Sequence, residues 1–396
     1  MSKKNLIILL IFYLFSSVLS FFAFSYFGEG AIALNQAQQE EEKESLLAGL
    51  LNIDPNEALD QACPLNGKYY TLTERNAWET RRPLFVMIEN APDARPHSGL
   101  SRADVVFEAV AEGGVTRFGA LYYCAAQNEN VVIAPVRSAR TYFVDWASGF
   151  NLPMYVHVGG ANLPGPTNAL GQIADYGWRG ENDIDQFSVG YPTFVRNYNR
   201  VPGKTVATEH TMQSETEALW EVAEKREWTN LTPERIVNRK TIAAAAWQDA
   251  YQGWVFEDEP GSPGLIQKVS YDFWTGYNQY SVEWNYDQEL DAYKRSNAGE
   301  LQIDLNNDEE LAFSNVVVLF TTEKGPINEL KHMIYGTTGR GKALIFKHGQ
   351  SPIEVNWNKL SREAELEFTD VRGKAVELAR GPIWISVLAN GSEVSY

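Results

Sequence analysis

The sequence predicts an α+β protein: an N-terminal α/β-type domain with a mixed sheet, then a mostly antiparallel β C-terminal domain. Three observations carry this expectation. Between residues 83 and 160, short apolar runs end in Gly, Pro, Asn or a charge and are hydrophobic on both faces, as covered strands are. Helical patterns lie between and after them. Beyond about residue 250 the segments alternate or are β-branched and are divided by Gly and Asn turns, which suits a sheet with one solvated face.

In chain order, Lys3 and Lys4 precede an uncharged apolar stretch at residues 5–27, long enough to cross a bilayer of roughly 30 Å. Residues 1–28 are therefore expected to be a membrane anchor or signal segment. Lysines before it and acidic residues after it place the bulk of the chain outside the cytoplasm. Either the helix stays as a single-pass anchor, or it is removed near Ala33 and the protein is secreted. No cysteine lies near this segment, so attachment through a lipobox is not expected. Residues 29–79 read as an acidic tether.

Residues 80–250 form the expected α/β domain and residues 251–396 the β-rich one. Strands are expected in "PLFVMIEN" (83–90), "ADVVFEAVAEGG" (103–114), "FGALYYCAA" (118–126), "NVVIAPV" (130–136) and "PMYVHVGG" (153–160). A helix is expected over 139–149 with Ser138 as its cap. Another is expected over 214–228, where Ser214 and Glu217 have capping-box spacing, and "TPERIVNRK" has Pro at a helix start. In the second half, "QKVSYDFW", "QYSVEWNYD", "LDAYKRS", "NVVVLFTT", "ALIFKHG", "PIEVNWNK" and "PIWISVL" read as strands.

Composition removes several functions. A net charge of −17 with no basic run argues against a nucleic-acid partner, because binding a phosphate backbone needs a cationic face. The two cysteines, Cys63 and Cys124, form no CxxC pair; in an exported protein they can join in one disulfide, or remain two thiols with Cys124 buried. The five histidines show no metal-ligand spacing, so neither a metal nor a cofactor is expected. "GTTGRGKA" (336–343) mimics a phosphate-binding loop. It ends in Ala343 where a hydroxyl is required, and a strand pattern follows, so a glycine-rich hairpin is the better reading.

The polar residues at strand ends say more. In open α/β sheets, ligands bind beyond the carboxyl ends of strands. Those ends carry Glu89 and Asn90, then Glu112 with Gly113-Gly114, then Arg137 with Ser138, then His157 with Gly159-Gly160. Glu108 interrupts an apolar run and needs a buried partner, for which Arg117, Arg137 and Arg140 are the candidates. Two answers stay open for the arginines. They neutralise the protein's own glutamates, or they await an anion at the start of the 139–149 helix.

The stretches "RPLFVMIENAPDARPHSGLSRADVVFEAVAEGGVTRFGALYY", "APVRSARTYFVDWA", "YVHVGGA" and "EHTM" resemble the YerB-like family of bacterial cell-envelope proteins. The resemblance covers roughly residues 80–396 and is weaker across the tail. It implies an N-terminal domain of unknown function, a partner C-terminal domain, and export, typically as a lipoprotein. This sequence has Glu89 and His97 where relatives often show Asp and Gln.

Three functions follow as expectations. The first is binding of an anionic cell-envelope ligand by Glu89, Asn90, Arg117, Arg137, Ser138, Arg140, His157, Gly159 and Gly160. The second is a cell-wall hydrolase or transferase using Glu108 or Glu112 with His157 or His210 as acid-base groups. The third is a non-enzymatic scaffold that engages an envelope protein, with a structural Arg–Glu network.

Overall fold

A computed structural model describes residues 51–237 and 240–396. The expected membrane anchor or signal segment at 1–28, the alternative cleavage near Ala33 and the first part of the expected tether lie outside the described residues. The fold is α+β. Its centre is one ten-stranded mixed sheet to which both halves of the chain contribute.

We number the long strands β1 (Leu84–Glu89), β2 (Val105–Glu112), β3 (Val115–Tyr122), β4 (Met154–His157) and β5 (Asp183–Asp185). They continue as β6 (Lys268–Tyr271), β7 (Val282–Asp287), β8 (Ala292–Asn297), β9 (Asn315–Thr321) and β10 (Gly339–Phe346). The last three are β11 (Ile353–Lys359), β12 (Glu367–Thr369) and β13 (Ile383–Ala389). The central order is β12-β11-β10-β9-β13-β2-β3-β1-β4-β5. The pairs β9/β13, β13/β2, β1/β4 and β4/β5 are parallel, while β3 runs against both β1 and β2. Hence β1, β2, β4, β5, β9 and β13 all point their carboxyl ends at one edge.

Strand alternation assigns the two faces of this sheet. Phe107 stacks on Trp146 of α2 (Thr141–Ser148), at 5.6 Å between ring centroids. Gly119 on the same face leaves room for Phe85 and Phe143, since a Cβ there would sit 2.4 Å from the Phe85 ring. The opposite face carries Glu108 and Phe118. It packs against a second, antiparallel sheet of β6, β7, β8 and short edge strands. Trp384 of β13 meets both Trp284 of β7 and Phe313 there, at 5.4 and 5.0 Å. The layers are therefore helix, mixed sheet and antiparallel sheet.

Several local expectations change. The tether ends before residue 60. Cys63 is disulfide-bonded to Cys124, Leu65, Tyr70 and Trp78 are buried, and α1 (Leu72–Trp78) is closed by a Thr71–Glu74 capping box. The apolar side chains of this segment have a core to enter. Ser138 does not cap α2: Arg140 occupies that position in extended conformation, because Ala139 N–H is already donated to Gly159 O. Ser214 likewise pairs in a strand with Ile133 and gives its hydroxyl to Thr193 O, so the helix starts at Thr216 without a side-chain cap. In "TPERIVNRK" the segment Arg235–Val237 is a strand that pairs antiparallel with Lys240–Ile242, where β-branched residues override the proline signal. The glycine-rich "GTTGRGKA" runs into β10 as an ordinary strand.

Candidate functional site

At the carboxyl edge, β1 ends in Glu89 and β2 in Glu112, and Arg117 on β3 faces both. Glu89 lies opposite Arg117 in register, so both point to the helix side. Glu112 would point to the other side by simple alternation. An irregularity between Val110 and Glu112 shifts its register and re-aims it.

The result is a continuous chain of charges. Arg117 Nη2 donates to Glu112 Oε1 at 2.8 Å and lies 3.6 Å from Glu89 Oε2; its Nη1 donates to Ser138 O at 3.1 Å. Arg140 grips the second Glu112 oxygen with Nε and Nη2, at 3.1 and 2.9 Å. Arg137 Nε donates to Glu89 Oε2 at 2.5 Å. Arg117 and Glu89 are sealed, whereas the Arg137 side chain is 29% exposed. Three guanidiniums thus face two carboxylates.

Burial acts to raise the Glu112 pKa, but Arg117 and Arg140 more than offset it and hold the carboxyl at about 2. Because this lies below the ordinary 4.5, the stability Glu112 contributes is present above pH 4.5 and is lost as pH falls towards 2. We expect urea unfolding to show a loss on the order of 3 kcal/mol across that window. In Glu112→Gln the loss is already taken at neutral pH, and the acid limb flattens.

Glu108 points to the other face, so none of Arg117, Arg137 and Arg140 is its partner. That partner is Arg295 of β8, 2.7 Å away, with both side chains fully buried. Thr116 Oγ1 donates to Glu108 at 2.9 Å, and Trp384 Nε1 and Asn90 Nδ2 add longer bonds at 3.2 and 3.3 Å. Arg295 lies among aromatic rings, 4.5 Å from the Trp384 centroid. Asn90 therefore belongs to this face and does not join Glu89. Arg295 sits in an ordinary alternating run, and no sequence signal marked it.

His157 is buried at the end of β4. Its Nε2 lies 2.7 Å from Asp183 Oδ1 and its Nδ1 lies 2.7 Å from Gly159 O. Burial opposes its charge, but the hydrogen bond and charge of Asp183 prevail, so its pKa is raised. It makes no hydrogen bond to Glu112 or Glu108 among the described residues. Gly159 donates its N–H to Asp185 Oδ1 at 2.8 Å, and Gly160 pairs with Ala139. Both glycines are thus engaged by the protein itself. Gly113-Gly114 is a hairpin turn in left-handed conformation with the Tyr277 ring over Gly114, where a Cβ would lie 2.3 Å from it. His210 lies in a short turn with its carbonyl bonded to Arg200 Nε at 2.8 Å, and it has no contact with the glutamates among the described bonds. The one group of possible metal-donor side chains among the described residues is Cys63, Asp104 and Cys124, whose two sulfurs are joined in the disulfide.

Comparisons with known proteins agree with this architecture. Residues 71–229 match the family described as "Protein of unknown function (DUF3048) N-terminal domain", and residues 269–385 match its C-terminal domain. The chain is similar to "Putative lipoprotein YerB" of Bacillus subtilis (strain 168), at 29% identity over 343 residues, spanning 84% of this chain and 88% of that protein. It is also similar to the crystal structure of the YerB protein from Bacillus subtilis, with a TM-score of 0.65 and 25% identity, covering 85% of this chain and all of that one. With both family segments present in order and joined in one sheet, the chain belongs to the YerB-like family.

Proposed function

We propose that this is a membrane-anchored, extracytoplasmic binding module that presents Arg137 to an anionic component of the cell envelope. The observation carrying this reading is the charge count at the strand ends. Two carboxylates face three guanidiniums, so the cluster keeps one excess positive charge, and its exposed member is Arg137, whose Nε is held by Glu89 while the side chain reaches solvent. The buried Glu89–Arg117–Glu112–Arg140 chain fixes its position. Location outside the cytoplasm is supported by the apolar segment at 5–27, by the Cys63–Cys124 disulfide, and by a relative named as a lipoprotein.

Acid-base catalysis is the weaker reading. Glu112 is held ionised by two arginines, Glu108 is shut in the interior, and His157 is occupied by Asp183. A scaffold role is favoured by a different observation: Glu112 alone satisfies both Arg117 and Arg140.

The test is binding of the full chain to anionic cell-wall fragments. Arg137→Gln is expected to weaken binding about tenfold, the worth of one charge-assisted contact. Its unfolding midpoint should fall but the fold should persist, because the buried Glu89 loses its closest partner and keeps Arg117 at 3.6 Å. If affinity is unchanged, the binding reading fails and the scaffold reading stands.

A further inference from the structure

We propose that the cavity around Arg95 is a second site, built for the free carboxylate of a small organic acid of dipeptide size. Its lining does not include Arg137, Glu89 or Glu112. The cavity holds about 410 Å³ and is lined by Pro92, Arg95, Pro96, Lys204, Asn297 and Gln302, among others. Its walls come from both family segments, so it exists only in the assembled molecule.

Arg95 is the central observation. It is partly buried, yet among the described residues no carboxylate pairs with it. Its Nε and Nη2 donate to Asn90 Oδ1 and Asn90 O, each at 3.0 Å, and its guanidinium lies 5.3 Å from the Tyr280 ring centroid. These contacts fix the plane of the fork while leaving Nη1 without an acceptor among the described residues. The comparison with other interior arginines is telling. Arg117 and Arg140 have Glu112, and Arg295 has Glu108. Among the described residues Arg82 and Arg200 pair with no carboxylate, but each gives three hydrogen bonds to backbone carbonyls. Burial pushes the Arg95 pKa down to about 10 and the neighbouring Arg295 adds to this, against weaker opposing effects of Tyr280, Glu108 and Glu300. An anion entering the cavity relieves both effects.

The remaining lining narrows the ligand. Lys204 stands exposed at the lip, its Nζ 3.5 Å from Arg95 O, and adds a second cation. Glu300, also exposed at the lip, disfavours a dianion and selects a singly charged carboxylate over phosphate. His97 lines the cavity with a pKa lowered well below its usual value by burial and by Arg95. Being neutral, it donates Nε2–H to Glu89 O at 2.8 Å, which leaves Nδ1 as an acceptor. Pro92, Pro96, Leu301 and Ile303 supply apolar walls. Cations, an acceptor and apolar walls together suit the carboxyl end of a short peptide.

Titration calorimetry of the full chain with N-acetyl-alanyl-alanine, its C-terminal amide and inorganic phosphate tests the assignment. The free acid is expected to bind saturably, with the amide and phosphate each about tenfold weaker or worse. Arg95→Gln should abolish the preference for acid over amide. Because Arg95 also holds the Asn90 loop, Lys204→Glu provides a change at an exposed position: it should weaken the acid severalfold and leave the amide unaffected. Arg137→Gln should change neither. Equal binding of acid and amide, tighter binding of phosphate, absence of saturable binding, or an unaltered acid preference in folded Arg95→Gln and Lys204→Glu would each overturn the proposal.

Discussion

Arg295→Met is expected to lower the unfolding free energy by about 3–5 kcal/mol, the usual penalty for removing one member of a buried ion pair. The magnitude follows from what remains behind. Glu108 is fully enclosed, and without Arg295 its second oxygen keeps only the 3.2 Å bond from Trp384 Nε1. Thr116 and Asn90 serve the other oxygen and cannot replace a cation. Urea titration at neutral pH should show the loss as a lower midpoint. The variant should also acquire a pH dependence of definite sign. An unpaired buried carboxyl has its folded pKa raised, so the penalty is full above that value and is relieved as pH falls. Adding Glu108→Gln should recover much of the loss, because both charges are then gone. A midpoint for Arg295→Met within experimental error of the parent would show that Glu108 is not dependent on this partner.

Loss of the Cys63–Cys124 disulfide is the second large effect. The bridge closes a loop of sequence separation 61, for which the chain-entropy relation gives about 4 kcal/mol. Both sulfurs are buried, and Tyr70 and Trp78 beside the bridge are buried against the sheet. Reduction, or the double change Cys63→Ala with Cys124→Ala, should therefore lower the urea midpoint and loosen residues 60–78 first. Amide hydrogen exchange is the direct readout. Protection should fall in α1 and at Cys63 well before it falls in β1 or β2. Equal exchange in oxidised and reduced protein would mean that aromatic packing alone holds this segment.

Much of the layout was legible in the sequence, because strands buried on both faces leave compact β-branched runs bounded by Pro and Gly. The convergence of Glu89, Glu112, Arg137 and His157 on one edge follows from that reading and from the parallel sense of β1, β2 and β4. Partner choice was not legible. Glu108 announced itself as a carboxylate among apolar residues, but its partner lies on a strand that pairs in another sheet, and Lys294-Arg295 looks like any solvated alternation. The irregularity before Glu112 leaves no mark in residue type, yet it decides which face the carboxylate serves. Ser138 and Ser214 had the right chemistry for caps. Both sit where neighbouring strands had already engaged the local backbone. Arg95 lies in the stretch that carries the family resemblance, yet nothing in the sequence gives it a binding role: what distinguishes it is that no carboxylate pairs with it among the described residues, a property of three-dimensional surroundings.

The position of β13 bears on how such a chain is made. This strand, close to the carboxyl terminus, lies in the middle of the sheet with β2 on one side and β9 on the other. Until Ile383–Ala389 is synthesised, β2 has a bare edge, and Trp384 is missing from the cluster that holds the second sheet in place. Early translation products therefore cannot settle into a finished half-molecule. For the same reason a stop even a few residues before Ile383 removes a keystone and leaves β2 and β9 each with an unpaired edge.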